Sequence, residues 1–139
     1  MAANITFTII KPCAVKNGYL GDILAEIIRG GFKIKAMKYL KLNQDQAKAF
    51  YAVHKGKPFY ESLVEFMISG PIVVAMLEKE NAVESFRALI GATDPSKAAE
   101  GTIRKKYGES LQANAIHGSD CDENAMIENN FFFSQCERF

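Results

Sequence analysis

Three observations predict an α+β sandwich. Apolar residues alternate with polar ones in short stretches, other stretches repeat at helical spacing, and glycine or proline stands at nearly every junction. In chain order these stretches run βαββαβ, with a helical hairpin after the second strand. That is the split-βαβ, ferredoxin-like arrangement: a four-stranded, mainly antiparallel sheet with helices on one face and an inserted hairpin. Residues 1–139 are expected to form a single domain, a length sufficient for one hydrophobic core.

Ile5, Phe7 and Ile9 alternate with Thr6 and Thr8, the period of a half-buried strand, until Lys11-Pro12 breaks it. Leu20, Ile23, Leu24, Ile27 and Ile28 follow at helical spacing behind an Asn17 cap, and Gly30-Gly31 supplies the stop. The second strand is expected from Phe32 to Leu42. Asn43 with Gln46 reads as a capping box opening the hairpin's first helix, and its second follows Pro58 with Phe59, Leu63, Phe66 and Met67 inward. Ile72 to Leu77 is apolar throughout, the pattern of a central strand buried on both faces. Asn81 with Glu84 reads as a second capping box, before a helix that places Phe86, Leu89 and Ile90 inward and ends at Gly91. From Ala92 to Ser110 the chain reads as irregular, apart from a helical turn at Ile103 to Tyr107. A last strand, Ala113 to Ile116, leads into His117, and Asp120 with Glu123 caps a terminal helix carrying Ala125, Met126 and Phe132.

The 17 basic and 16 acidic residues nearly cancel, so nucleic acid is not indicated and any anion site must be local. The three cysteines, Cys13, Cys121 and Cys136, are odd in number and form no C-x-x-C pair, which fits a reducing, cytoplasmic compartment. No basic leader is read at the start, and the longest apolar stretch falls short of the roughly 20 residues of a membrane span. Neither export nor a membrane partner is expected.

The chemistry gathers around His117. A histidine at a strand end before a glycine can turn its ring into a cleft, and Asn114, Ser119, Asp120 and Glu128 are near it in sequence. A nucleophilic imidazole needs one nitrogen held as a donor and the other left with a free lone pair, and a carboxylate such as Glu128 can hold the first. Lys11 at a strand end, Arg87 on a helix and Arg104 in the glycine-containing segment after Gly101-Thr102, with a hydroxyl such as Thr93, are the groups that phosphoryl transfer requires if they converge. Neither a G-x-x-x-x-G-K-[ST] loop nor a G-x-G-x-x-G run is present, which removes the Walker-type and protein-kinase cradles.

With these residues in place, Thr8-Ile9-Ile10-Lys11-Pro12, Gly70-Pro71, Arg87 followed by Gly91-Ala92-Thr93-Asp94-Pro95, Gly101-Thr102-Ile103-Arg104, and Asn114-Ala115-Ile116-His117-Gly118-Ser119-Asp120 resemble the nucleoside diphosphate kinase family over essentially the whole chain. The resemblance implies an enzyme that passes the terminal phosphate of a nucleoside triphosphate to a nucleoside diphosphate by a ping-pong mechanism, through a phosphohistidine at His117, with broad base specificity. It implies that Glu128 and Ser119 orient the ring and that Lys11, Tyr51, Arg87, Thr93 and Arg104 surround the phosphates. Lys11 and Asn114 would reach the ribose hydroxyls, and Phe59 would stack on the base with Leu63 and Leu111 beside it. Mg2+ would arrive on the nucleotide phosphates rather than on protein ligands, and the family's homo-oligomers are tetramers or hexamers built from dimers.

Cys13 and Cys121 stand where the family usually has aspartate and serine, outside its phosphate contacts; the role of His54 is left open. The aromatic tail from Phe131 to Phe139 is short for the family and is a candidate for a subunit interface. Two other readings compete. One is an RNA-recognition or regulatory module of the same fold, for which a recognition motif of the RNP type would place aromatics within a strand flanked by glycines, and strands one and three lack it. A scaffold without chemistry would have no physical need for His117, Arg87 and Arg104 together.

Overall fold

The computed structural model describes residues 3–139. The apolar run expected to be buried on both faces forms β3 (Ile72–Glu78), which lies between β1 (Ile5–Ile10) and β2 (Lys33–Leu40). A three-residue strand, β4 (Ile116–Gly118), pairs with the other side of β1, giving the order β2-β3-β1-β4. Every neighbouring pair is antiparallel, as the ferredoxin-like order requires.

The helices are α1 (Pro12–Lys16), α2 (Leu20–Arg29), α3 (Gln44–Phe50), α4 (Tyr60–Met67), α5 (Ala82–Ile90), α6 (Ile103–Tyr107) and α7 (Asp122–Phe132), with 3-10 turns at Ala52–His54, Pro95–Lys97 and Gln135–Glu137. Successive side chains of β3 enter different cores. Ile72, Val74 and Met76 pack with Phe7 and Ile9 against Tyr60, Val64 and Phe132 of α4 and α7. Val73, Ala75 and Leu77 pack with Ile10 against Ile23 and Ile27 of α2 and Phe86 and Ile90 of α5.

Helices therefore cover both faces of the sheet, where the sequence pattern suggested one. The misleading signal was β1, whose Thr6 and Thr8 are wholly buried rather than solvent-facing. Thr8 satisfies its hydroxyl by donating to the main-chain oxygen of His117 at 2.8 Å, so a polar side chain sits in the interior and ties β1 to β4.

Local chemistry explains the remaining differences. The capping box at Asn43 and Gln46 is complete, each side chain accepting from the other's backbone N–H. The box expected at Asn81 does not form: Asn81 adopts φ 53, and its amide donates to the Glu84 carboxylate at 2.7 Å instead of accepting from the helix backbone. Asn17 follows α1, a helix absent from the expected pattern, and Tyr19 occupies the cap position of α2. Phe59, expected inward, stands at the cap of α4 and is 46% exposed, because Tyr60, Val64 and Met67 form that helix's inner stripe. Leu63 and Phe66 are partly buried. Cys121, not Asp120, is the cap residue of α7, and Met126 faces outward.

The tail folds back on its own chain. A bulge in β2 between Ile34 and Ala36 frees the Lys35 carbonyl, which accepts from the Phe139 N–H at 2.6 Å. Lys38 donates to the Phe132 carbonyl and to Glu137, fastening the end of α7 to the sheet.

Gly118 sets how closely α5 approaches β4. A Cβ there would lie 2.9 Å from Phe86 Cδ2 and 3.0 Å from Ile90 Cδ1, inside ordinary contact distance. Gly118→Ala is expected to destabilise the protein by about 1–3 kcal/mol through overpacking. Urea unfolding measures this, and an unchanged midpoint would mean that α5 shifts without resistance.

Candidate active site

His117 lies inside β4, opposite Ile9 of β1, rather than after the strand expected at Ala113 to Ile116. The strand begins late because Ala115 adopts φ 77, a left-handed conformation that costs an alanine about 1–2 kcal/mol. Its carbonyl accepts from the Lys11 N–H at 2.9 Å, which joins the kink to the end of β1. The extended residues after it carry His117 on the Ile9 face, and Gly118 leaves room for α5 on the other.

One oxygen of Glu128 holds the ring. His117 Nε2 lies 3.0 Å from Glu128 Oε1, and Ser119 Oγ donates to the same oxygen at 2.6 Å. With Nε2 as the donor to that carboxylate, Nδ1 is the nitrogen with a free lone pair. Glu128 is fixed in turn, because the next residue, Asn129, is buried and donates from its amide to the Thr6 carbonyl. Tyr51 is buried nearby. Burial and then the Glu128 charge push its phenol well above the usual tyrosine range, so it keeps its proton.

A cleft of about 550 Å3 opens beside His117, between α4 of one layer and α5 and α6 of the other. Lys11, Phe59, Leu63, Arg87, Thr93, Arg104, Leu111 and Asn114 all line it. Of the residues expected to surround a nucleotide, all but Tyr51, which is buried and does not line the cleft, converge on one space with the histidine. Glu128, Ser119 and Tyr51 stand outside the cleft wall, behind the ring. Ser62, Ile90 and Gln112 also line the cleft and were missed; a small hydroxyl, a helix-end isoleucine and a loop glutamine carry no sequence signal of a site.

The cations are fixed by backbone. Arg104 is buried, donating from Nε and Nη2 to the Ile116 carbonyl at 3.3 and 2.9 Å and from Nη1 to the Gly91 carbonyl at 3.0 Å. These bonds orient the guanidinium without neutralising it. Burial and then the charge of Arg87 lower its pKa to about 10, which leaves it charged at neutral pH. Lys11 is more perturbed: burial, then repulsion from Arg104, lowers its pKa to about 8, against a small opposing effect of Cys13. Asn114 donates to the Thr93 carbonyl at 3.0 Å, while its buried Oδ1 has no partner among the described residues. The cleft thus presents cations, an amide oxygen and a hydroxyl to an anionic, hydroxyl-bearing ligand.

Phe59 projects over the mouth of this space. The His54 ring meets its edge at 5.2 Å between centroids, and Lys57 Nζ lies 5.9 Å from its centre. Among the described residues no group of three or more His, Cys, Asp or Glu is arranged to hold a metal ion. No helix among them is long and apolar enough to cross a membrane.

A ferredoxin-like α+β chain with a carboxylate-held histidine at a cation-lined cleft has the character of a phosphotransferase. The nucleoside diphosphate kinase family model matches residues 4–138. A nucleoside diphosphate kinase of Flavobacterium psychrophilum is 58% identical over 139 residues, covering 100% of both chains. One of Chlorobaculum parvum is 57% identical over 129 residues, 93% of this chain and 92% of the relative. Among solved structures, the Aquifex aeolicus nucleoside diphosphate kinase superposes with a TM-score of 0.96 at 44% identity, over 99% of this chain and all (100%) of that one. A halophilic nucleoside diphosphate kinase of Halobacterium salinarum, in complex with CDP, gives 0.93 at 37% identity over 99% of this chain and 91% of its own. The chain belongs to the nucleoside diphosphate kinase family, whose activity is phosphate transfer between nucleotides.

Lys11 supplies a pH test. Its ammonium is charged below about pH 8 and neutral above it, so the cleft loses a cation as pH rises through that value. The kcat/KM for ATP is expected to fall through this range in the wild type and to stay flatter in Lys11→Arg, whose side chain remains charged. Parallel profiles for the two proteins would remove Lys11 from the titrating machinery.

Proposed function

We propose that this chain, as one domain over residues 1–139, passes the terminal phosphate of nucleoside triphosphates to nucleoside diphosphates through a phosphohistidine at His117. The observation that carries this reading is the occupation of Nε2 by Glu128, which leaves Nδ1 as the nucleophilic nitrogen beside the cationic cleft. The Nδ1 lone pair forms a bond to the terminal phosphorus while the bond to the bridging oxygen breaks, and that electron pair leaves with the diphosphate. Nε2 keeps its proton, and the Glu128 carboxylate, steadied by Ser119, stabilises the positive charge that the ring acquires. An acceptor diphosphate then attacks the phosphohistidine, and the ring returns to its starting state.

In this reading Lys11, Arg87, Arg104 and Thr93 neutralise and orient the phosphate oxygens, with Tyr51 as a protonated hydroxyl near the reacting centre. Mg2+ would be held by the nucleotide's own phosphates, since the cleft wall offers cations and neutral polar groups. When bound it would draw the phosphate charges together and lower the charge on the leaving diphosphate.

Asn114 Oδ1 and Lys11 would receive the ribose hydroxyls, and Phe59, with Leu63 and Leu111, would flank the base. A platform with so few polar groups supports broad base specificity, and the CDP seen in the Halobacterium salinarum relative is consistent with pyrimidine entry. Edge strand β2, with Met37 and Tyr39 exposed, supports assembly into dimers and from them tetramers or hexamers. Three free cysteines support a reducing cytoplasmic setting.

Incubation with ATP labelled on its terminal phosphate should yield an acid-labile, base-stable phosphoprotein in the wild type and none in His117→Ala. Glu128→Ala should fold yet be phosphorylated more slowly, by about 10- to 100-fold, the scale set by losing one charge-assisted hydrogen bond. Label persisting in His117→Ala would defeat the assignment.

Phe59→Ala is expected to lower kcat/KM for ATP, GTP and CTP alike, because stacking contributes about 1–3 kcal/mol to any base. A 3′-deoxy substrate should lose more than a base-changed one, because it leaves the buried Asn114 Oδ1 unpaired. Strong preference for one base, or indifference of every base to Phe59→Ala, would contradict this.

A further inference from the structure

A second recess, of about 480 Å3, adjoins the cleft on the side of α6. Arg87, Thr93 and Arg104 line both spaces, whereas Lys97 and Thr102 line the recess alone. Its charged lining is entirely cationic: Arg87, Lys97 and Arg104. Asp94 and Glu100, each three residues from Lys97, do not line the recess, and Asp94 is turned to Ser96, accepting from its N–H at 3.0 Å and its hydroxyl at 2.8 Å.

The walls are built rather than incidental. Gly91 adopts φ +89, and a Cβ there would come within 2.6 Å of Thr102 Oγ1, so the two strands of the loop are packed as closely as a glycine allows. Thr102 is locked in turn, donating to the Ala99 carbonyl at 2.7 Å. Arg104 is held to the Gly91 carbonyl on this same wall. Three cations therefore face one concavity whose lining holds no carboxylate, and an anion is the ligand that relieves their mutual repulsion there.

We propose that this recess is an anion subsite distinct from the nucleotide cleft, and that inorganic oligophosphates bind across Arg87 and Arg104 with one end on Lys97. The inference rests on the reading of the neighbouring cleft as the nucleotide site. Because Arg87 and Arg104 serve both spaces, an oligophosphate so placed excludes the nucleotide. Lys97 touches only the oligophosphate. The recess thus makes the enzyme sensitive to condensed phosphates through a residue that its phosphate transfer does not use.

Tripolyphosphate is the probe, tested as an inhibitor of ATP-to-GDP transfer at fixed free Mg2+ and fixed ionic strength. It should compete with ATP. Lys97→Ala should raise its inhibition constant about fivefold, the effect of losing one partly solvated charge contact, with KM for ATP unchanged. Lys97→Arg should restore wild-type inhibition, and Lys33→Ala, which removes an exposed lysine on β2, should have none of the effect. No inhibition of the wild type, an unchanged inhibition constant in Lys97→Ala, or an equal change in Lys33→Ala would each overturn the subsite. A rise in KM for ATP matching the rise for tripolyphosphate would overturn its separateness and assign Lys97 to the cleft. Calorimetric titration of tripolyphosphate into nucleotide-free wild type and Lys97→Ala reads the Lys97 contact independently of turnover, so a failure of the transfer reaction and a failure of the recess are told apart, and equal affinities for the two proteins would overturn the recess.

Discussion

The site depends on one carboxylate oxygen. Glu128 Oε1 takes both the His117 ring and the Ser119 hydroxyl, and these come from β4 and the turn after it, while Glu128 comes from α7. For the three to meet, α7 must lie across β1 at a fixed height, which Asn129 secures on the Thr6 carbonyl and the tail secures through Lys38. The histidine must also be presented by a strand that starts only after the kink at Ala115. Charge-assisted hydrogen bonds are short and geometrically demanding, so small displacements of either element loosen the ring.

A second constraint governs the cations. Burying Arg104 and Lys11 without carboxylate partners is unfavourable, and their lowered pKa values reflect it. The protein stabilises Arg104 with three hydrogen bonds to backbone carbonyls, which leave its charge available to a ligand. Had carboxylates done the same work, the cleft would be neutral and would bind phosphates weakly. Holding these cations without carboxylate partners costs folding stability and leaves the cleft positively charged.

The two-layer cover of the sheet explains why these groups can converge. α4 brings Phe59 and Leu63 from one face, α5 and α6 bring Arg87 and Arg104 from the other, and the end of the β1–β4 pair supplies Lys11 and His117 between them. A sheet covered on one face only would present half of this wall to solvent. The added hairpin α3–α4 is thus part of the site as well as of the core. Its packing through Tyr60, Val64 and Met67 leaves Phe59 free to project.

What the sequence by itself determined was whatever depends on neighbours along the chain. The buried run of β3, the capping box at Asn43 and Gln46, and the N-x-x-H-G-S-D stretch were legible because periodicity, capping and motif spacing act over a few residues. Family likeness extended this to the cleft residues. Tertiary structure alone decided the rest: that Thr6 and Thr8 are interior, that Asn81 bonds a side chain instead of the helix, that Phe59 faces out, and that Arg104 is held by the carbonyls of Gly91 and Ile116. The carbonyl partners of Thr8 and Arg104 turn on which distant backbone group lies within about 3 Å. The burial of Thr6 and exposure of Phe59 turn on packing across layers, and the Asn81 contact on its left-handed backbone, none of which spacing along the chain reveals.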